Sequence, residues 1–298
     1  MDFYLIRHWF HSIRTISYWR YALFTVDSWK TFLAVWGAVW LLADSGERFG
    51  FFDYQLKGHG WQLLIVSVLI VIWTRRPISR IAYKLPKSDV RIEIRVGDIF
   101  KQEGDLVVST NTTFETDVPG GVIAADSLQG KFTQNYYDNN IAHLDGDITR
   151  ALAGVPHQPN TGNGKPNKYD IGTVAKVHVK GRYFYLLAMA EMNAHGNTQS
   201  SKQLVRTALN SLWTFVHQRG ELGNMVIPVI GTGRGRTNAT REETIKQIVK
   251  SFAQATARNR FANKLTIVIH PQDYRDSHLN LFELNDYLRA VHKYEKAE

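Results

Sequence analysis

The chain has no cysteine among its 298 residues. That excludes disulfides and thiolate chemistry and fits a reducing compartment. Metal-ligand spacing is missing as well. His143, His157, His178, His195 and His270 are scattered, with no His-Glu-x-x-His pair. No Gly-x-Ser-x-Gly elbow marks a serine hydrolase. No Gly-Lys-Ser/Thr closes a Walker A loop, and no Gly-x-Gly-x-x-Gly precedes an acid about twenty positions on. Basic charge is scarce where nucleic acid would need it. Residues 1–87 carry 11 Lys/Arg and 5 Asp/Glu (net +6), and residues 88–298 carry 25 and 22 (net +3). Most of the overall +9 therefore sits near the N-terminus, and no basic groove with interleaved aromatics follows it. Nucleic acid is not expected as a partner.

Long apolar runs are also few. Two occur, Trp29–Ala43 and Trp61–Trp73, each short of the roughly 20 residues that cross a bilayer. Extended back to residues 21 and 57, they predict a transmembrane α-helical hairpin with spans at 21–43 and 57–74. Trp29, Trp36, Trp40, Trp61 and Trp73 suit the interfaces, and Arg75-Arg76-Pro77 stops the second helix. A pair of buried core helices is the alternative. Basic residues flank both runs, while the connection 44–60 has two positive and three negative residues, net −1. The positive-inside rule then places the N-terminus and the C-terminal domain in the cytoplasm of a multi-pass inner-membrane protein. The basic flanks would also attract anionic lipid. Leu85-Pro-Lys-Ser-Asp89 reads as a linker, which divides the chain into a membrane segment 1–87 and a domain 88–298.

From Arg91 onward strands and helices alternate. Strands are expected at Arg91–Val96, Leu106–Ser109, Ala175–Val179, Tyr183–Ala190, Met225–Ile230 and Leu265–His270, with a hairpin at Lys180-Gly181. Helices are expected at Ser200–Gln218, Thr240–Ala257 and about Ser277–His292. Such alternation implies a mixed or parallel sheet covered on both faces. Residues 154–172, rich in turn formers, read as a surface loop. Asp145 and Asp147 read as a solvated cap pair before a turn at Ile148–Leu152.

The most informative stretch is Met225-Val-Ile-Pro-Val-Ile-Gly-Thr-Gly-Arg-Gly-Arg236. A buried strand leads into a loop with Gly231, Gly233 and Gly235, and Thr240 with Glu243 forms a capping box that opens a helix. Strand, glycine loop and helix start can aim backbone N–H groups at phosphate. Arg234 and Arg236 can fork onto phosphate or carboxylate oxygens, or stand solvated in a tight turn. Two other segments lie beyond strand ends, where ligands of open α/β sheets sit. One is Gly97-Asp98-Ile99. The other runs from Asn111 to Pro119-Gly-Gly-Val122. On spacing alone, Asp98 is a ligand contact or a turn cap, and Asn111 a ligand contact or an Asx turn.

The order of Gly97-Asp98-Ile99, Val107-Val-Ser-Thr-Asn111, Pro119-Gly-Gly-Val122 and Pro228-Val-Ile-Gly-Thr-Gly233 resembles a macro domain, the ADP-ribose-binding module. Leu128-Gln-Gly-Lys-Phe132, Tyr183–Met192 and the arginine-bearing glycine loop narrow the resemblance to the membrane-anchored macro-domain effector of Thoeris anti-phage systems. The resemblance implies a three-layer α/β/α domain with a mixed sheet. It also implies binding of an ADP-ribose-type signal, histidine–ADP-ribose made by a TIR-domain partner enzyme, followed by membrane disruption and cell death or arrest. The expected partners are this nucleotide, the TIR enzyme, membrane lipid and further copies of the chain, with no cofactor or metal. By the same resemblance, Asp98 meets the adenine amino group, Ile99 beside it belongs to the ligand site, Asn111 meets the distal ribose, and Gly120, Gly121 and Val122 follow the diphosphate. Gly231, Thr232, Gly233, Arg234, Gly235 and Arg236 form a second phosphate loop. Hydrolytic macro domains commonly carry an acid after Gly-Gly-Val, where this chain has Ile123, and an aromatic where it has Arg234. Both departures favour a binder. A membrane-anchored ADP-ribosyl hydrolase is the second reading, and an NAD-dependent oxidoreductase the third.

Overall fold

The computed structural model describes residues 10, 13–14, 18–19, 23–50, 60–74, 78–86, 88–162, 164–192, 198–231, 239–277 and 279–294. It divides into two compact units, Met1–Ser79 and Arg80–Glu298.

The first unit holds two helices that pack on each other, α1 (Val26–Arg48) and α2 (Gly60–Thr74). Among the described residues no helix is long and apolar enough to cross a membrane, which corrects the expected spans. The reason differs for each. Thr25 caps α1 by accepting the Ser28 N–H at 3.3 Å, so the helix begins late. It then runs on through the polar Asp44–Arg48 turn, closed by an Asp44–Arg48 ion pair of 2.9 Å. Helix α2 is apolar but for Gln62, Ser67 and Thr74, and it has 15 residues. That is a rise of about 22 Å against a hydrocarbon core of about 30 Å. Both helices nevertheless expose large apolar side chains: Trp29, Leu33, Leu41 and Leu42 on α1, and Trp61, Leu69 and Trp73 on α2. Trp29, Phe32, Trp36 and Trp40 form a ladder of ring contacts about one turn apart along α1. Arg75-Arg76-Pro77 lies outside the described residues.

The second unit is built on one sheet. Its strands are β1 (Arg80–Lys84), β2 (Arg91–Val96), β3 (Asp105–Asn111), β6 (Val174–Val179), β7 (Arg182–Met192), β8 (Thr198–Gln199), β9 (Asn224–Pro228) and β10 (Lys264–Ile269). A separate two-stranded ribbon pairs β4 (Gln158–Pro159) with β5 (Asn167–Lys168). The main sheet runs β1-β2-β10-β9-β3-β7-β6, with β8 on β7. The five central strands β2, β10, β9, β3 and β7 are mutually parallel, and β1, β6 and β8 pair antiparallel to their neighbours. The mixed sheet is the expected one.

Helices cover both faces. Consecutive β7 residues show this, because adjacent side chains on a strand point to opposite sides. Phe184 meets Phe132 of α3 (Leu128–Tyr137) at 4.7 Å between ring centroids, while Tyr185 meets Phe215 of α5 (Lys202–Arg219) at 6.3 Å. Helices α3 and α4 (Ile141–Ala151) pack against β3 and β6, burying Phe132, Leu144 and Ile148 with Leu106, Val108 and Phe184. On the other side α5 packs with α6 (Arg241–Arg258), where Trp213 donates to Ser251 Oγ at 3.0 Å and stacks among Phe252 and Phe261. Two short-range expectations appear intact. Thr240 and Glu243 make the reciprocal capping box at 3.0 and 3.2 Å. Lys180 and Gly181 both take positive φ, +49° and +74°, and turn β6 into β7.

Several boundaries differ. Arg80–Lys84 is not a basic flank but the edge strand β1, and the expected linker is the turn of a hairpin closed by Leu85 N–H to Val90 O at 2.9 Å. Ile81 is buried between exposed Arg80 and Ala82, as the alternation of a strand requires. Asp145 and Asp147 lie inside α4, whose cap is Asn140, accepting the His143 N–H at 3.1 Å. The last expected helix is α8 (Leu281–Tyr294), which starts four residues later than expected, and a short helix, α7 (Pro271–Asp276), precedes it.

Candidate functional site

Four parallel strands, β2, β10, β9 and β3, end at one edge of the sheet, and the expected site residues follow three of them. The Gly97 N–H donates to Ile269 O at 3.0 Å, which sets the turn after β2 beside the turn after β10. Asp98 is exposed and caps a 3-10 turn, Ile99–Lys101, by accepting the Phe100 N–H at 3.0 Å. The cap uses Oδ1, and Oδ2 has no partner among the described residues. Ile99 buries its side chain in the α3/α4 core, so only its backbone can face a ligand.

His270, next in sequence after β10, shares this corner and caps α7 by accepting the Gln272 N–H at 3.3 Å. Partial burial holds its pKa below the usual histidine value. Asp273 and Asp98 push it back up, while Lys131 and Arg275 push it further down.

Asn111 ends β3 at 3% exposure, just after a register shift against β7. Its Oδ1 accepts from Thr113 Oγ1 and from the Glu115 N–H, both at 3.0 Å. The Asx turn is real, and it leaves a buried Nδ2 without a partner among the described residues. Buried amide donors are normally paired, so such a group marks a place where a ligand or water has something to satisfy.

The Pro119–Val122 loop closes on itself. The Gly120 N–H donates to Asp117 Oδ1 at 2.7 Å, and the Gly121 N–H, at φ +79°, donates to Val118 O at 3.1 Å. Val122 is 43% exposed. Gly231 follows β9 with φ +77°, which favours glycine. Thr232, Gly233, Arg234, Gly235 and Arg236 lie outside the described residues.

A group that sequence reading missed stands behind Asn111. Glu115, 6% exposed, accepts the Thr116 N–H at 3.1 Å and the Lys165 N–H at 3.2 Å. Lys165 Nζ donates to Phe114 O at 2.8 Å and to Asp145 at 2.5 Å, and Asp145 also accepts from Thr116 Oγ1 at 2.6 Å. The Tyr169 N–H reaches Thr112 O at 2.8 Å. The expected surface loop 154–172 thus straps the segment after β3. Its length with no strong element of its own was the available signal, since such loops are uncommon unless functional. Among the described residues no group of three or more His, Asp or Glu gathers to hold a metal ion.

The family model described as "Thoeris protein ThsA, Macro domain" matches residues 92–270, more than half of the chain. This chain belongs to that family. Its mixed α/β sheet is therefore the macro-domain fold, and the match opens in β2 and closes at His270, enclosing all the expected site loops. The chain is also similar to Thoeris protein ThsA of Bacillus amyloliquefaciens (strain Y2), at 23% identity over 241 residues, covering 78% of this chain and 77% of that one. Among solved structures it is similar to a mutant Oceanobacillus iheyensis macrodomain with ADPR, at 15% identity and TM-score 0.46, covering 69% of this chain and 100% of that one. It is likewise similar to a Trypanosoma brucei macrodomain in complex with ADP-ribose, at 9% identity and TM-score 0.42, covering 67% and 68%.

Proposed function

We propose that this protein is a sensor and effector of anti-phage defence whose macro domain binds an ADP-ribose-type nucleotide. The observation that carries this reading is the convergence of Asp98, Asn111 and Gly231 at the carboxyl ends of adjacent parallel strands, in a chain of the Thoeris macro-domain family. In this reading Asp98 Oδ2 accepts from the adenine amino group, and the Ile99 backbone supports the ring. Gly120 to Val122 and Gly231 to Arg236 follow the diphosphate, and the Asn111 amide meets the distal ribose. The signal is histidine–ADP-ribose from a TIR-domain partner enzyme, whose carboxylate Arg234 or Arg236 takes.

The output element is the N-terminal helical unit, acting at the inner membrane with the macro domain in the cytoplasm. Support comes from the tryptophans and leucines that α1 and α2 expose, since clustered exposed apolar side chains mark surfaces that meet a partner or a membrane. Assembly of several copies then disturbs the bilayer and arrests or kills the cell.

The domain acts as a binder. Ile123 stands where an acid would position water, and the Asp117 carboxylate at the same loop is engaged by the Gly120 N–H. A thermal-shift panel of ADP-ribose, its histidine conjugate, cyclic ADP-ribose and NAD tests the proposal. A ligand at a hundredfold excess over Kd stabilises the fold by about 2.7 kcal/mol. No shift with any of the four sinks it, and release of ADP-ribose from a modified substrate would make the protein a hydrolase.

A further inference from the structure

Asp117 is not among the residues assigned to the ligand, yet its carboxylate sits on the glycine loop. Oδ1 accepts the Gly120 N–H at 2.7 Å, a short bond of the charge-assisted kind. A Cβ at Gly120 would fall on that carboxylate, so glycine lets Asp117 sit this close to the loop. The rest of the turn holds Asp117 in place. Its N–H donates to Glu115 Oε1 at 3.4 Å, and its carbonyl accepts the Ile123 N–H at 2.9 Å. Among the described residues no lysine or arginine pairs with Asp117, although Lys165, Lys168 and Arg150 each pair with another acid. A carboxylate therefore occupies an N–H group of the loop that would follow a diphosphate.

We propose that Asp117 is an internal competitor for the ligand's phosphates. Its carboxylate takes the Gly120 N–H in the unliganded protein and must yield it to an anionic ligand, so Asp117 sets the affinity of this loop for anions. The inference rests on the ADP-ribose reading above. One N–H serves one of the two anions at a time, and their mutual repulsion at this exposed loop, screened by salt, weakens whichever arrives second. The effect would hold the sensor insensitive to weakly bound phosphate compounds and reserve it for a ligand that gains contacts elsewhere, at Asp98 and Asn111.

Asp117→Asn separates this role from a turn cap, because asparagine caps the same turn without the charge. Asp117→Ser, also a turn former, serves as the second variant. The full-length proteins are titrated calorimetrically with ADP-ribose and with neutral adenosine, at low and high salt. Both variants should bind ADP-ribose about tenfold tighter than wild type at low salt, as expected for removing a like charge at close range. The gain should shrink at high salt, and adenosine affinity should not change. ADP-ribose affinity equal to or below wild type in both variants would reduce Asp117 to a structural cap and leave the ADP-ribose reading standing. If none of the three proteins binds ADP-ribose, that reading falls and this one with it.

Discussion

The Oδ1 atom of Asn111 accepts the Glu115 N–H at 3.0 Å, and this bond ties the end of β3 to the loop that follows it. Because Asn111 is buried, Asn111→Ala leaves the Glu115 N–H without its partner. A loss of about 1–3 kcal/mol in urea unfolding is expected, together with loss of ADP-ribose binding through the missing amide. A variant as stable as wild type would show that the turn closes without Asn111.

Asp98 carries its role on an exposed turn, so binding and stability separate there. Asp98→Ala should weaken ADP-ribose binding by about 1.5–3 kcal/mol, the worth of a charge-assisted hydrogen bond. The lost cap should cost stability only about 1 kcal/mol. Unchanged affinity by isothermal titration in the folded variant removes the adenine role.

Arg234 and Arg236 are expected to distinguish ligands. ADP-ribose has no carboxylate and its histidine conjugate has one. Arg234→Ala or Arg236→Ala should therefore lower affinity for the conjugate more than for ADP-ribose, since an arginine fork suits a carboxylate. Equal losses for both would leave these residues a phosphate role alone.

Asp105, at the opposite end of β3 from Asn111, gives a pH prediction. Burial raises its pKa above the ordinary carboxylate value, while the Tyr185 hydroxyl at 3.3 Å, Lys176 and Arg182 oppose the rise and Glu221 adds to it. A raised folded pKa means that the fold favours the protonated form. That contribution is fully present below the unfolded value near pH 3.9 and is lost as pH rises through the folded pKa. Asparagine mimics the protonated acid. Asp105→Asn should therefore raise the melting temperature at pH 7 and change it little at pH 3.5. A gain of the same size at both pH values would assign the effect to packing.

Ala34 and Ala38 are exposed, four apart on α1, and a side chain on the intervening Gly37 would meet nothing within 4 Å. Small residues at that spacing let two helices approach closely. The signal is expected to raise the mass of the full-length protein in detergent, measured by light scattering, and Ala34→Leu with Ala38→Leu should prevent the increase. A nearly complete switch needs about 5.5 kcal/mol of preference for the assembled state. A chain that stays monomeric at saturating ligand, yet still depolarises cells, would exclude assembly as the output.

What the sequence determined unaided was local. Apolar runs and alternation located the six longer strands from Arg91 onward but not the two-residue β4, β5 and β8, Thr240 with Glu243 marked a helix start, and Lys180-Gly181 marked a hairpin. These signals arise within a few residues, from backbone φ preference, capping and the period of burial, so no partner need be known. The order of the glycine motifs also carried the family. The tertiary structure decided the rest, because each remaining feature depends on contacts made across the chain. Asp98 and His270 share a corner only because β2 and β10 are adjacent in the sheet. Arg80–Lys84 became a strand because the edge of β2 was there to pair with it. Glu115 and Lys165 lie 50 residues apart, and nothing near either one announces the other. For α1 and α2 composition located the helices, but length and the polar Asp44–Arg48 turn, read only once Thr25 was seen to cap α1, decided that neither is long and apolar enough to span a bilayer.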